Sequence, residues 1–359
     1  MKTLITICLV CVCLLSSNLF AVEYQIINLG TLSGSTYSTA YSINNSGQVV
    51  GISGEACLFD STGGGNNTDL GSLNEEGHWS TAESINNNGQ IVGGDHTLGR
   101  ACLFLTPSTN KNLGSLYGID GFSWANSINN NGLPVGSSSD GSGNTRACFF
   151  NSAFGGAVMN LGTFTDGYNS EAASINDSGQ IVGQAMNSSY NTRACIFIYY
   201  DNLTDLGTLG GNDSSASSNN NSGQIVGQAQ NSSGDYHACL FDSTNPLNNL
   251  DLGTLGGTLS GALSINESGQ IVGFAADSSG FSHACLFDSG GNINLESYLS
   301  AGSGWTSLDY ATSINDNGWI AGTGYLNGQQ RGFLLKPIPE PATICLLFLG
   351  AVSLIRTKK

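Results

Sequence analysis

Short runs rich in Ile, Val, Leu and Phe alternate along the chain with polar stretches rich in Gly, Asn and Ser, and the runs recur in a fixed order. The first is A-x-S-I-N, centred on Ile43, Ile85, Ile128, Ile175, Asn219, Ile265 and Ile314. The second, G-Q-I-V-G, ends at Gly51, Gly93, Gly136, Gly183, Gly227, Gly273 and Gly322, eight residues later in every copy. The third, A-C-L-F, carries Cys57, Cys102, Cys148, Cys195, Cys239 and Cys285, with Phe333 in the last copy. The fourth, D/N-L-G-T-L, contains Leu29, Leu70, Leu113, Leu161, Leu206, Leu252 and Leu295.

Each run is short and β-prone, and N-x-x-G between the first two supplies residues that accept positive φ, so a tight hairpin is expected there. No helix-length period appears between the two ends. Four antiparallel strands in a unit of 42–49 residues describe a propeller blade. The fold expected is all-β, a seven-bladed β-propeller. The phase of the repeats bears on closure. Tyr24 to Leu29 is a fourth-motif strand with no blade before it, and Gly332 to Leu335 is a third-motif strand with no fourth after it. The N-terminal strand is therefore expected to complete the last blade, which a closed ring needs and an open solenoid does not.

Composition narrows the function. Charged residues are 10% of the chain and the net charge is −16, which argues against nucleic-acid binding. With 40% hydrophobic residues the chain can bury a core. The ends read as addresses. Residues 1–21 have a cation at Lys2, an apolar stretch from Leu4 to Leu15 and small residues up to Ala21, the plan of a signal peptide. In residues 339–359, Pro339-Glu340-Pro341 precedes an apolar run, Ala342 to Ile355, and then Arg356, Lys358 and Lys359. This tail resembles the PEP-CTERM sorting signal of bacterial exported proteins. The resemblance implies an exosortase-type processing protease as partner, cleavage near Pro339-Glu340-Pro341, and membrane contact only through a short hydrophobic helix before processing. A plain C-terminal anchor would explain the apolar run but not the motif before it. Without both ends, residues 22–338 hold six basic and 25 acidic residues, a net of −19.

The repeats resemble the HAF family of bacterial extracellular repeats, with His237-Ala238-Cys239 and His283-Ala284-Cys285 as variants of its namesake tripeptide. The resemblance implies export and a β fold and brings no activity.

Candidate chemistry is sparse. The six body cysteines sit at one equivalent position in six blades. Symmetry should keep them beyond the roughly 7 Å Cα separation that a disulfide tolerates. Two residues before each stands Glu55, Arg100, Arg146, Arg193, His237 or His283, with Arg331 before Phe333. These cations are expected to pair with fourth-motif carboxylates such as Asp69, Asp205 or Asp251; the alternative is a partial cationic ring at one rim. Asn219 stands where six other copies have Ile. No cofactor or metal is expected. Calcium would rest only on the N-D-x-G turns at Asp177 and Asp316, which lack the alternating carboxylates of a calcium loop.

The turns between the first two motifs should all lie on one face, constant in length. The variable loops should lie on the other, with Trp79, Trp124, Tyr168 and Trp305 among their aromatics. Aromatic platforms beside polar groups suit stacking on sugar rings. The reading is an exported, sorted cell-surface or extracellular-matrix propeller that binds polysaccharide or another surface component without catalysis. The alternatives are a propeller glycoside hydrolase or lyase, for which Glu83 and Glu171 are the innermost carboxylates, and a purely structural surface protein.

Overall fold

The invariant asparagine of the first motif bonds each blade to the next and the last blade back to the first. In the computed structural model, which describes residues 23–73, 79–105, 109–118, 121–151, 157–198 and 203–338, the strands form seven four-stranded antiparallel sheets. The protein is a seven-bladed β-propeller. In the first six blades the strand order follows the chain from inner to outer, beginning Thr39–Ile43, Val49–Ser53, Glu55–Phe59, Thr68–Asp69 in blade 1. Blade 7 is made of Trp305–Ile314, Ile320–Leu326 and Gln329–Pro337, and its outer strand is Tyr24–Asn28 from the start of the chain. The offset read from the repeats is therefore real.

Two compact units divide the chain: Ile26–Lys336, which holds the seven blades, and the ends, Met1–Gln25 with Pro337–Lys359. Of the ends, residues 23–25 and 337–338 are described, and there Ile338 N donates to Glu23 O at 2.8 Å. The proposed leader, 1–21, and the tail with Pro339, Glu340 and Pro341 lie outside the described residues. Among the described residues no helix is long and apolar enough to cross a membrane.

The inner strand of every blade slips register at one shared motif position, between Ala40 and Ser42 in blade 1, and the longer inner strands of blades 5 to 7 slip again nearer their starts. The shared bulge drives a carbonyl toward the last glycine of G-Q-I-V-G. A Cβ on Gly51 would lie 2.0 Å from Thr39 O, and one on Gly136 1.9 Å from Trp124 O. Any side chain there would collide with backbone, which is why all seven copies keep glycine. Opposite that glycine in the ladder stands the cysteine: Gly51 pairs with Cys57, Gly273 with Cys285, and Gly322 with Phe333. All six cysteines are free and buried. Burial pushes the thiols up, Cys57 and Cys285 to about 12.

Hydrogen bonds join blade to blade. The first Asn of each turn donates Nδ2 to the same carbonyl in the next blade, from Asn44 to Asn86 O (3.0 Å), Asn86 to Asn129 O (2.8 Å) and onward through Asn176, Asn220 and Asn266 to Asn315. Asn315 then donates to Asn44 O at 2.9 Å. Beside it runs a second circuit, in which each backbone N–H gives to the next blade's side chain: Asn45 to Asn87, Asn130 to Asp177, Glu267 to Asp316, Asp316 to Asn45. The motif serine adds a third set of links, for example Ile43 N to Ser313 Oγ at 3.2 Å. Asp177 and Asp316 are thus occupied as ring acceptors, and among the described residues no group of His, Cys, Asp or Glu is placed to hold a metal.

Cores lie between blades. One cluster takes Leu29, Ala40, Ile43, Val49, Cys57 and Phe59 together with Ala321 and Leu334, so the seam is packed as the other junctions are. The fourth strands are short, two residues in blades 1, 2, 4 and 6. The cause is local: the motif Asp or Asn accepts from the N–H two residues on, as Asp69 does from Gly71 (2.8 Å), and this turn ends the ladder.

Candidate functional site

Antiparallel order puts the N-x-x-G turns on one face and the loops after the second and fourth strands on the other. The turn face is closed by the asparagine circuits around a small axial opening of about 170 Å³. Asn219 lines it among six isoleucines. Its Nδ2 donates to Gln180 O (3.0 Å) and Gln180 Oε1 (3.1 Å), and its Oδ1 has no partner.

The loop face carries the exposed aromatics. Trp79, 59% exposed, lies 5.7 Å from the His96 ring, and His96 lies 4.6 Å from Trp124. Phe122 stacks on Trp124 at 6.2 Å with planes 9° apart. Trp124 sits in the inner strand of blade 3 (Ser123–Ile128) and covers Gly94, where a Cβ would meet its ring at 2.3 Å. At its inner end this aromatic run meets Glu83. Glu83 accepts from Thr81 Oγ1 at 2.8 Å and from Trp124. Burial lifts the Glu83 carboxyl above its usual range against those two hydrogen bonds, and the charge of Glu171 adds to the rise. Tyr41, in the neighbouring blade, is pushed up to about 12 by burial and by Glu83. Glu171 is held by Asn126 Nδ2 (2.9 Å) and Gln184 Nε2 (3.3 Å). Glu83 and Glu171 occupy different motif positions, yet they feel each other across the ring. A carboxyl shifted by burial and by a like charge is a functional-site signature.

The cation series resolves individually. Arg193 pairs with Asp205 (3.2 Å) and His237 with Asp251 (2.8 Å), the fourth-motif pairing expected. Arg146 instead pairs with Asp140 in its own hairpin at 3.1 Å. Arg100 donates to Leu98 O and Gly121 O, and Arg331 to Thr36 O at 2.7 Å. His283 stands between Glu296 (3.1 Å) and Asp277 (3.4 Å). Glu55, the acidic member, accepts from Ser80 N and Oγ. These side chains tie strands and blades together. Trp305 meets Phe333 edge-on at 6.0 Å and is half-buried, so it plugs blade 7.

Sequence reading missed two features. One is the Glu83–Glu171 relation. The other is Tyr190, which stacks on Tyr168 with centroids 4.9 Å apart and planes at 14°, its hydroxyl donating to Tyr168 Oη at 2.9 Å.

No family model matches the chain, and no curated protein matches it. Among solved structures it is similar to a streptogramin B lyase, at 8% identity, covering 88% of this chain and 98% of that one with a TM-score of 0.49. It is also similar to a gluconolactonase from Xanthomonas campestris, at 10% identity, covering 89% and 99% with a TM-score of 0.42. Both are enzymes, and this corrects the expectation of a protein without catalysis: the solved structures it resembles give that exclusion no footing, and it is withdrawn. At such identity neither brings its reaction to this chain.

Proposed function

We propose that this propeller is an exported protein of the cell surface or matrix, with HAF-type repeats and a processed PEP-CTERM tail, and that its loop face binds neutral polysaccharide. The supporting observation is the aromatic run Trp79–His96–Trp124, which leads from solvent to Glu83 on the inner strand of blade 2. Stacked rings supply platforms for the apolar faces of sugars, and the amide and carboxyl groups take their hydroxyls. The strongly acidic body disfavours anionic polymers. Glycan-array binding of the secreted protein tests the reading: Trp79→Ala should weaken a neutral-glycan signal, and a wild-type protein blank across the array refutes it. Mass spectrometry of the native secreted chain should end near Pro339; an intact Lys359 refutes processing.

The Glu83–Glu171 pair favours a second reading, a propeller enzyme acting on the bound polysaccharide. Glu83, inclined to keep its proton, would serve as acid, and Glu171 as its partner base. Release of new reducing ends, abolished in Glu83→Gln, tests it.

A further inference from the structure

The loop-face hairpins of blades 3 to 6 are built to one plan. In each, the first residue's N–H bonds to the carbonyl four residues on: Asp140 to Asn144, Asn187 to Asn191, Asn231 to Asp235 and Asp277 to Phe281, at 2.8 to 3.0 Å. The fourth turn position needs positive φ, and blades 3, 5 and 6 meet it with Gly143 (89°), Gly234 (91°) and Gly280 (85°). Blade 4 has Tyr190 there, at φ 63°. A bulky side chain in the left-handed region is strained, and nothing in the turn requires it. What Tyr190 gains is position. It is 65% exposed and lies stacked on Tyr168, which is 43% exposed, so the two rings form one outward platform.

The platform adjoins a cleft of about 290 Å³ between blades 3 and 4, whose lining includes Asn169, next to Tyr168, and Thr192, two residues after Tyr190. Thr145, Gln184 and Glu171 line it as well. Among the described residues, several polar atoms there have no hydrogen-bond partner: the Thr145 and Thr192 hydroxyls, Asn169 Nδ2, whose Oδ1 takes Thr145 N, and Gln184 Oε1, whose Nε2 serves Glu171. Hydroxyl, amide and carboxylate groups beside a stacked aromatic pair are the complement of a ring with one apolar face and a rim of hydroxyls.

We propose that Tyr168, Tyr190 and this cleft form a subsite for one pyranose unit of a neutral polysaccharide. The subsite rests on the loop-face binding reading and gives it a second contact, in a different blade from Trp79. Glu171 lines the cleft, and its charge also acts on Glu83.

Titration of the secreted protein with cello-, malto-, laminari- and manno-oligosaccharides tests it, with Tyr190→Gly and Tyr168→Ala beside Trp79→Ala. Tyr190→Gly restores the residue of the other blades. It should weaken binding by at least about tenfold and leave the melting temperature unchanged or higher. Tyr168→Ala should weaken binding similarly, and it decides the matter if the glycine variant folds poorly. Affinity within about twofold of wild type in both tyrosine variants, with loss only in Trp79→Ala, overturns the subsite and leaves loop-face binding standing. A melting temperature that falls with affinity unchanged makes the tyrosine pair structural and also overturns it. A wild-type protein that binds none of the four series removes both proposals.

Discussion

Asn315 Nδ2 donates to Asn44 O at 2.9 Å across 271 positions of sequence, and the bond is the same as the one Asn44 makes to Asn86, 42 positions away. Asn44 O also accepts from Gly47 N at 2.9 Å, so removing the amide costs one of that carbonyl's two hydrogen bonds, about 0.5–1.5 kcal/mol. Asn315→Ala should therefore lower the unfolding free energy by at least that amount, read from a lowered urea midpoint. Deleting residues 23–31, which removes the buried Leu29 and an entire strand, should cost more than the about 2–5 kcal/mol of a single Leu→Ala truncation. A deletion variant as stable as wild type would refute closure by the N-terminal strand.

The six thiols are buried and unpaired. They should react with a thiol reagent only after unfolding, as a single cooperative burst. Any intramolecular disulfide in the native protein would contradict the structure.

Glu83 should make stability depend on pH. Its carboxyl is raised in the folded chain, so ionising it costs more there than in the unfolded chain, whose reference value is 4.5. Below that value both states are protonated and there is no effect; above it, stability falls as pH climbs to the folded value. Glu83→Gln should raise the melting temperature at neutral pH, and the gain should vanish at low pH. Equal gains at both would refute the assignment.

His283 gives the opposite handle. Burial disfavours its charge, but Glu296 and then Asp277 more than offset that, and its value stands above 6.5. The contribution is full below 6.5 and is lost as pH rises through the folded value. Thermal melts across this range should show a slope that His283→Ala removes.

Turn and loop faces should separate by mutation. Gly269 has φ 81°, and Gly269→Val should cost about 1–3 kcal/mol in denaturant melts without altering glycan binding. Loss of binding at unchanged stability would place the ligand on the turn face.

The blades were legible because each motif residue repeats a bond. Asn44 and its equivalents, the glycine under the bulge and the Asp-Leu-Gly turn all recur because the same backbone group must be met seven times. The seam was legible from phase alone, through Tyr24 to Leu29. The site was legible only in part. Trp79 and Tyr168 stood out as loop-face aromatics, but Glu83 and Glu171 fall at different motif positions, and repeat alignment sets them apart. That the charge of Glu171 acts on Glu83 depends on how the ring arranges blades 2 and 4, which spacing does not reveal. Tyr190 escaped because Asn187-Ser188-Ser189-Tyr190-Asn191 lacks the glycine that marks the equivalent turns. The cation series was read correctly at Arg193 and His237. It was misread at Arg146, where a nearer acid in its own hairpin, Asp140, wins over the fourth strand.

The asparagine circuit runs in one sense, every amide giving to the blade ahead, and the last gives to the first. The chain thus has no energetically privileged beginning on the turn face. Joining the present ends and reopening the chain between any two blades should yield a circularly permuted protein with the same ring of bonds. Adding or removing one blade is different in kind, since it changes the angle at which all the remaining amides must reach.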